Sequence, residues 1–300
     1  MRENRFPTNR LGQTLRVPLL ALLIIATAAG LAAWRLARRV LPDAAASIGE
    51  EAREQLTPWR RRLRGRLDPG VATGLALTAG ALVLVVGGIV VALLALLLRQ
   101  SGTLVEVDRW AARWGNDHAG HLSTLGLKAV TSLGSGAGVT VLAILVAAVE
   151  LRRRWSRWIV PFLVVVTLGD SIVTNLIKQA MDRARPAFNP DAAALGPSFP
   201  SGHSSQAAAF FAGAALLLSR RRGRATRAVL VGLAVGLAVA VACSRVLLDL
   251  HWVSDVVAGL SLGWGWFALC AIAFGWRMLE FGAPAEAAVP NDARPHQPVG

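Results

Sequence analysis

The chain has 300 residues, of which 54% are hydrophobic and only 17% charged, and its mean hydropathy is +0.49. That apolar content excludes a disordered chain, and the charged share falls below the roughly one quarter usual in soluble domains. The net charge of +14, from 32 Lys and Arg against 18 Asp and Glu, resembles that of nucleic-acid binders. Here the arginines cluster between apolar runs, which reads as a membrane topology signal, so no nucleic acid is expected as a partner.

A bilayer core takes about 20 apolar residues in a helix. In chain order, the stretches 17–34, 70–98, 129–149, 159–177, 201–219, 228–244 and 256–274 qualify. The expected fold class is all-α, a polytopic transmembrane helix bundle with a six-span core and one extra N-terminal span. Residues 1–69 hold that extra span and a basic linker. Positions 35–69 carry nine Arg and five acidic residues and read as interfacial. Residues 70–276 form the core, and 277–300 read as a disordered tail. A cleaved leader at 17–34 is the lesser reading, because the apolar run is long for a signal and Trp34-Arg35 follows directly. Cys243 and Cys270 sit inside apolar runs and read as small core residues.

If every stretch crosses, the segments 35–69, 151–158, 219–227 and the C-terminal tail share one side with 20 Lys and Arg, and the opposite side carries 12. The first is expected to be cytoplasmic. The N-terminus then lies outside with four Arg, the least favourable feature of this topology.

Three constellations fall on the external, less basic side. The first is Lys178, six residues, then Arg185-Pro186. The second is Pro200-Ser201-Gly202-His203. The third is Ser244-Arg245, five residues, His251, three residues, Asp255. Together they describe a phosphate site. Lys178, Arg185 and Arg245 supply three cations, and the planar forks of Arg match phosphoryl oxygens. Ser201 and Gly202 open a helix, where backbone N–H groups favour an anion. His251 and Asp255, four apart, share a helical face, so the carboxylate can hold one ring nitrogen and leave the other to attack phosphorus. His203, on another helix, is placed to act as general acid.

In order and spacing these motifs resemble the signature of the type 2 phosphatidic acid phosphatase (PAP2) superfamily, over residues 70–274. The resemblance implies a bacterial integral membrane lipid phosphatase with His251 forming a phosphohistidine and Asp255 orienting it. His203 would protonate the leaving group and then activate water. Lys178, Arg185, Ser201, Gly202 and Arg245 would bind phosphate, and no metal or other cofactor is implied. The expected substrate is a lipid phosphate or a polyprenyl pyrophosphate, with undecaprenyl pyrophosphate leading and phosphatidic acid and phosphatidylglycerol phosphate close behind. The site would lie on the external face of the inner or plasma membrane. Transfer of the phosphate to another lipid or sugar, and phosphate binding without turnover, are the alternatives, and oligomeric state is left open.

Other polar features have plainer readings. His118 and His121 form at most a weak metal pair and read as a solvated loop. Asp170, inside an apolar span, is expected to pair structurally and to share an inward stripe with Thr174 and Asn175. Asp182 and Asp249 adjoin the motifs and are expected to position arginines. Gly134-Ser135-Gly136 reads as a turn or packing element, and Gly259 with Gly263 as a weak helix-packing signal.

Overall fold

The computed structural model describes residues 17–40, 69–100, 102–118, 121–153, 156–187, 190–220 and 222–278. Among these residues every regular element is helical, as the apolar runs predict. In chain order the α-helices are α1 (Val17–Val40), α2 (Pro69–Gln100), α3 (Gly102–His118), α4 (His121–Ser132), α5 (Gly136–Arg153), α6 (Ile159–Val164), α7 (Asp170–Met181), α8 (Gly202–Leu218), α9 (Arg224–Leu247) and α10 (Val253–Met278). A π-helical turn, Val165–Gly169, joins α6 to α7. A 3-10 turn, Pro190–Leu195, precedes α8.

Among the described residues five segments are long and apolar enough to cross a membrane: Leu20–Arg39, Ala79–Arg99, Ile159–Met181, Arg224–Leu247 and Val253–Phe274. The pair Thr124–Ser132 and Gly136–Arg153, bent by 51°, adds a sixth if the two pieces form one span. The chain is thus a multi-pass membrane protein. The expected span 129–149 differs from this outcome, because the turn at Leu133–Ser135 breaks it into two helices. Helix α8, the remaining expected span, has 17 residues, at the lower limit of about 17 for a crossing helix. Helix α1 continues to Val40, so the first residues of the expected linker, 35–40, are helical. The rest of that linker and the tail beyond Met278 lie outside the described residues.

Helix α8 is the hub, packed against α5, α7, α9 and α10. Its alanines 207, 208, 209, 214 and 215 are buried, with Phe210 and Leu217, against Phe162, Val166 and Val241. Small residues suit this position, since helices in lipid associate by close van der Waals approach rather than by expelling water. The outer helices show the converse. On α2, Leu82, Val85, Ile89, Leu93 and Leu96 are exposed, as expected of a surface solvated by lipid tails.

The closest approach of backbones sets the site. A β-carbon on Gly259 would stand 2.5 Å from the Ser201 carbonyl oxygen, and one on Gly263 would overlap the Ser205 carbonyl. The glycine pair on α10 is therefore the seam that seats α8, a stronger role than its sequence signal suggests. Gly134, in the turn between α4 and α5, is held equally close, 2.8 Å being left between a β-carbon there and the His203 carbonyl. The π-helical turn is completed from α10, where the Trp266 indole N–H donates to the Val165 carbonyl at 3.1 Å. Gly169 makes room for that ring.

Candidate active site

Three connections meet at one end of α7, α8, α9 and α10. Helix α7 ends at Asp182, which adopts a left-handed conformation (φ 41°) while its N–H donates to the Lys178 carbonyl at 3.0 Å. Short polar residues tolerate that conformation, and it turns the chain toward Arg183 and Arg185. Helix α9 delivers Arg245 in its last turn. A second left-handed residue, Asp249 (φ 54°), then turns the chain into His251 and the start of α10.

The eight residues singled out in the sequence converge here. His251 is 2% exposed, with Nδ1 3.4 Å from Asp255 Oδ2. The same carboxylate oxygen accepts the Trp252 N–H at 3.0 Å. On the other side of the ring, Arg185 Nη1 stands 3.1 Å from His251 Nε2 and donates to the Leu250 carbonyl at 2.6 Å. A guanidinium has no acceptor, so Nε2 must present its lone pair and the proton must sit on Nδ1, toward Asp255. Burial lowers the His251 pKa to about 4 against the upward pull of Asp255, so the ring is neutral at neutral pH. Burial also pulls Arg185 below its ordinary value, with Asp255 opposing.

Lys178 Nζ donates to the Pro197 carbonyl at 2.6 Å and lies beside Gly202. Arg185 is further held by the carbonyls of Gly196 (2.8 Å) and Pro197 (3.2 Å). Arg245 is 5% exposed and donates from Nη1 to Thr131 Oγ1 at 3.2 Å, while its Nε meets no acceptor among the described residues. His203, in the first turn of α8, lies within electrostatic reach of Arg245, His251, Arg185 and Lys178.

The helix start differs from the sequence reading in one respect. The Ser201 N–H donates to the Asp255 carbonyl at 3.0 Å and so is not left for an anion. Its hydroxyl accepts from Ser204 Oγ at 2.9 Å. The first intrahelical bond runs from Ser205 N–H to the Ser201 carbonyl, which leaves the N–H groups of Gly202, His203 and Ser204 without an intrahelical acceptor.

Two further expectations are corrected. Asp182 is exposed and Asp249 is buried, and among the described residues neither forms an ion pair with an arginine. Burial, reinforced by Asp117, instead pushes the Asp249 pKa up to about 7. The carboxylates that meet an arginine at the site are Asp255 and Asp108, the latter from the buried face of α3. Arg183 Nη2 donates to Asp108 Oδ2 at 2.8 Å, and its Nη1 donates to Asp255 Oδ1 at 2.5 Å and to Ser254 Oγ at 2.8 Å. A trace of this exists in the sequence, because Asp108 shares a stripe with the small residues Ala112 and Gly115. Asn175 is exposed and leaves the inward stripe. Asp170 and Thr174 are buried, and Ser205 Oγ donates to Asp170 Oδ1 at 2.6 Å, a structural pairing across α7 and α8. His118 stacks on Trp114, with Nδ1 2.8 Å from the Trp114 carbonyl. Among the described residues no group of three or more His, Cys, Asp or Glu is placed to hold a metal.

Comparison with known proteins agrees with this geometry. Residues 158–279, which hold every residue of the three motifs, match the family model of the PAP2 superfamily. Lipid A 1-phosphatase of Rhizobium etli is 38% identical over 122 residues, 37% of this chain and 48% of the relative. Phosphatidylglycerophosphatase B of Bacillus subtilis is 31% identical over 142 residues, 45% of this chain and 66% of the relative. The chain thus spans about half to two thirds of the length of the curated relatives it matches. The crystal structure of a transmembrane PAP2-type phosphatidylglycerolphosphate phosphatase from Bacillus subtilis shares the fold. Its TM-score is 0.60 at 24% identity, covering 66% of this chain and 98% of the other. Motifs, family match and fold coincide on the same helices, and through them residues 158–279 belong to the PAP2 superfamily.

Proposed function

We propose that the chain is a lipid phosphatase that removes phosphate from a lipid phosphomonoester or pyrophosphate through a phosphohistidine on His251. The observation that carries this reading is the set of contacts on the imidazole. Asp255 lies on Nδ1, and Nε2 carries the lone pair, which accepts from Arg185 Nη1 at 3.1 Å and is freed when that N–H turns to a phosphoryl oxygen. A neutral, buried imidazole in that tautomer is a nucleophile without further deprotonation.

In the first half-reaction Nε2 bonds to phosphorus, the bond to the lipid oxygen breaks, and His203 gives that oxygen its proton, its protonated form being stabilised by the negative phosphoryl group against burial and the neighbouring Arg245, Arg185 and Lys178. In the second, water attacks the phosphohistidine, His203 takes the water's proton, and inorganic phosphate leaves with Nε2 free again. Lys178, Arg185 and Arg245, with the N–H groups at the start of α8, neutralise charge on the phosphoryl oxygens, the largest contribution in phosphoryl transfer. The residues in these roles account for both steps without a metal.

The motifs read phosphate and not the lipid tail. Lipid A and phosphatidylglycerol phosphate, the substrates in the relatives' names, stand beside undecaprenyl pyrophosphate as the compounds to try. The excess of Lys and Arg on the opposite loops supports a site on the external face of the inner or plasma membrane.

The test is phosphate release by detergent-purified protein with EDTA present, across those substrates and phosphatidic acid, with His251→Ala as control. Release that survives EDTA and is lost in the variant is the expected result. Undiminished release from His251→Ala overturns the mechanism. Label passing only to an acceptor lipid replaces hydrolysis with phosphotransfer.

A further inference from the structure

Arg183 stands in the same connection as Arg185, whose terminal nitrogens donate to the backbone carbonyls of Leu250 and Pro197. Those of Arg183 donate instead to side chains, Nη1 to Asp255 and Ser254 and Nη2 to Asp108. The indole of Trp252 lies over the guanidinium, 5.5 Å from its carbon to the ring centroid, and the Trp252 Nε1–H donates to the Ala184 carbonyl at 2.9 Å. Arg245 keeps its Nε unpaired, whereas Arg183 has little left to offer a phosphoryl oxygen.

Asp108 is equally committed. It is 1% exposed, its Oδ1 accepts the Ser254 N–H at 2.9 Å, and its Oδ2 accepts from Ser254 Oγ at 2.5 Å as well as from Arg183. It therefore caps the first turn of α10 from a different helix, the task an N-cap side chain performs locally elsewhere. Asp255 sits in that same turn.

We propose that Asp108 and Arg183 are positioning residues. They clamp one oxygen of Asp255 so that the other stays on His251 Nδ1, and they tie the dyad to α3. A buried carboxylate with one hydrogen-bonded neighbour can rotate about its Cβ–Cγ bond. With Oδ1 fixed by a guanidinium and Oδ2 by the Trp252 N–H, rotation would break charge-assisted bonds. The arrangement also places a carboxylate on each side of Arg183, a network in which losing one member leaves another uncompensated. This inference rests on the reading of His251 as nucleophile.

The experiment has a catalytic and a non-catalytic arm, applied to Arg183→Gln, Arg183→Lys and Asp108→Asn in the full chain. The first arm measures kcat and KM. Loss of an orienting partner is expected to lower kcat by about 10- to 100-fold while KM changes far less. Lys, which keeps the charge, should restore part of that loss. The second arm follows the His251 ring nitrogens by 15N NMR of histidine-labelled protein in detergent, without substrate. The charged groups acting on His251 are Asp255, Arg185 and Arg245. Arg183→Gln removes the cation that clamps Asp255, so the midpoint of the His251 titration should rise by about one unit.

An unchanged midpoint and unchanged kcat in folded Arg183→Gln overturn the proposal. So does a loss of kcat that Lys does not relieve while the His251 signals stay in place. If wild-type protein releases no phosphate but the His251 signals move as expected, the phosphatase reading falls and the positioning role stands.

Discussion

Of the glycine seams in the bundle, two make a comparison, and only one of these two ends in a cluster of charges. Between α8 and α10, Gly259 and Gly263 bring the helices together until the Ser201 N–H reaches the Asp255 carbonyl. Between α1 and α9, Gly30, Gly232 and Gly236 do the same. A β-carbon on Gly30 would stand 2.8 Å from the Gly232 carbonyl oxygen, and one on Gly232 would stand 2.8 Å from that of Gly30. The packing physics is shared, close approach of backbones where lipid offers no hydrophobic drive. The ends of the seams differ. The α8–α10 seam runs to two helix starts, where unpaired N–H groups and the dyad collect. The α1–α9 seam joins the middle of two apolar helices. Close packing therefore builds both, and what lies at the seam's end decides which one can do chemistry.

The sharpest way to separate the charge cluster from the seam beneath it is to remove the proposed nucleophile alone. His251→Ala should lower kcat by roughly 10⁴-fold or more while the thermal unfolding profile in detergent shows a folded protein. Arg185→Ala comes next. Loss of a cation facing the phosphoryl group should lower kcat/KM by about 10²- to 10³-fold, read in the same phosphate-release assay.

The seams themselves can then be set against each other. Gly263→Val pushes against the Ser205 carbonyl and separates His203 from the dyad. A displacement of about 1 Å should cost on the order of 10²-fold in turnover. Gly232→Val should destabilise by about 1–3 kcal/mol through overpacking, seen as a lower melting temperature, with turnover of the folded fraction intact. Equal loss of turnover in both variants would mean that the α1–α9 seam also supports the site.

The pH profile gives a smaller effect. In the proposed mechanism the reactive imidazole is the neutral form, and burial holds the His251 pKa to about 4. The acid limb of kcat/KM should therefore lie below the ordinary histidine range, with activity falling only as the ring protonates near that value. An acid limb near 6.5 would show that the ring is not held as buried as the packing indicates. The least effect is expected at Asp249. Its carboxyl, pushed up to about 7 beside Asp117, leaves Oδ1 without a donor. Asp249→Asn keeps a residue that accepts the left-handed backbone and should leave turnover near wild type.

Much of the architecture is legible in the sequence, because apolar runs of bilayer length leave the backbone little choice but helix. The three motifs are legible for a related reason. Groups that must meet a phosphate sit at helix ends, and their spacing within each segment survives in the linear order. Asp108 and Arg183 are not legible in that way. They are 75 residues apart, and a carboxylate within an amphipathic stretch looks like any solvated acid until α3 is laid across the start of α10. The break at Leu133–Ser135 is legible only in part, since Gly-Ser-Gly reads as a turn or a packing element, and it serves as both once Gly134 must fit against His203 and Val241.

By itself, then, the chain determined that it crosses a membrane repeatedly and marked Lys178, Arg185, the Ser201–His203 start, Arg245, His251 and Asp255 as one candidate phosphate site. Both are local properties, hydropathy over one helix and residue type over one turn. Only the tertiary structure decided which hydrogen bonds those groups have left. It assigned the Ser201 N–H to Asp255, turned His251 Nε2 toward Arg185, and placed Arg183 between two carboxylates. Each buried donor and acceptor must be satisfied by whatever packing brings within about 3 Å, and no spacing along the chain specifies that neighbour.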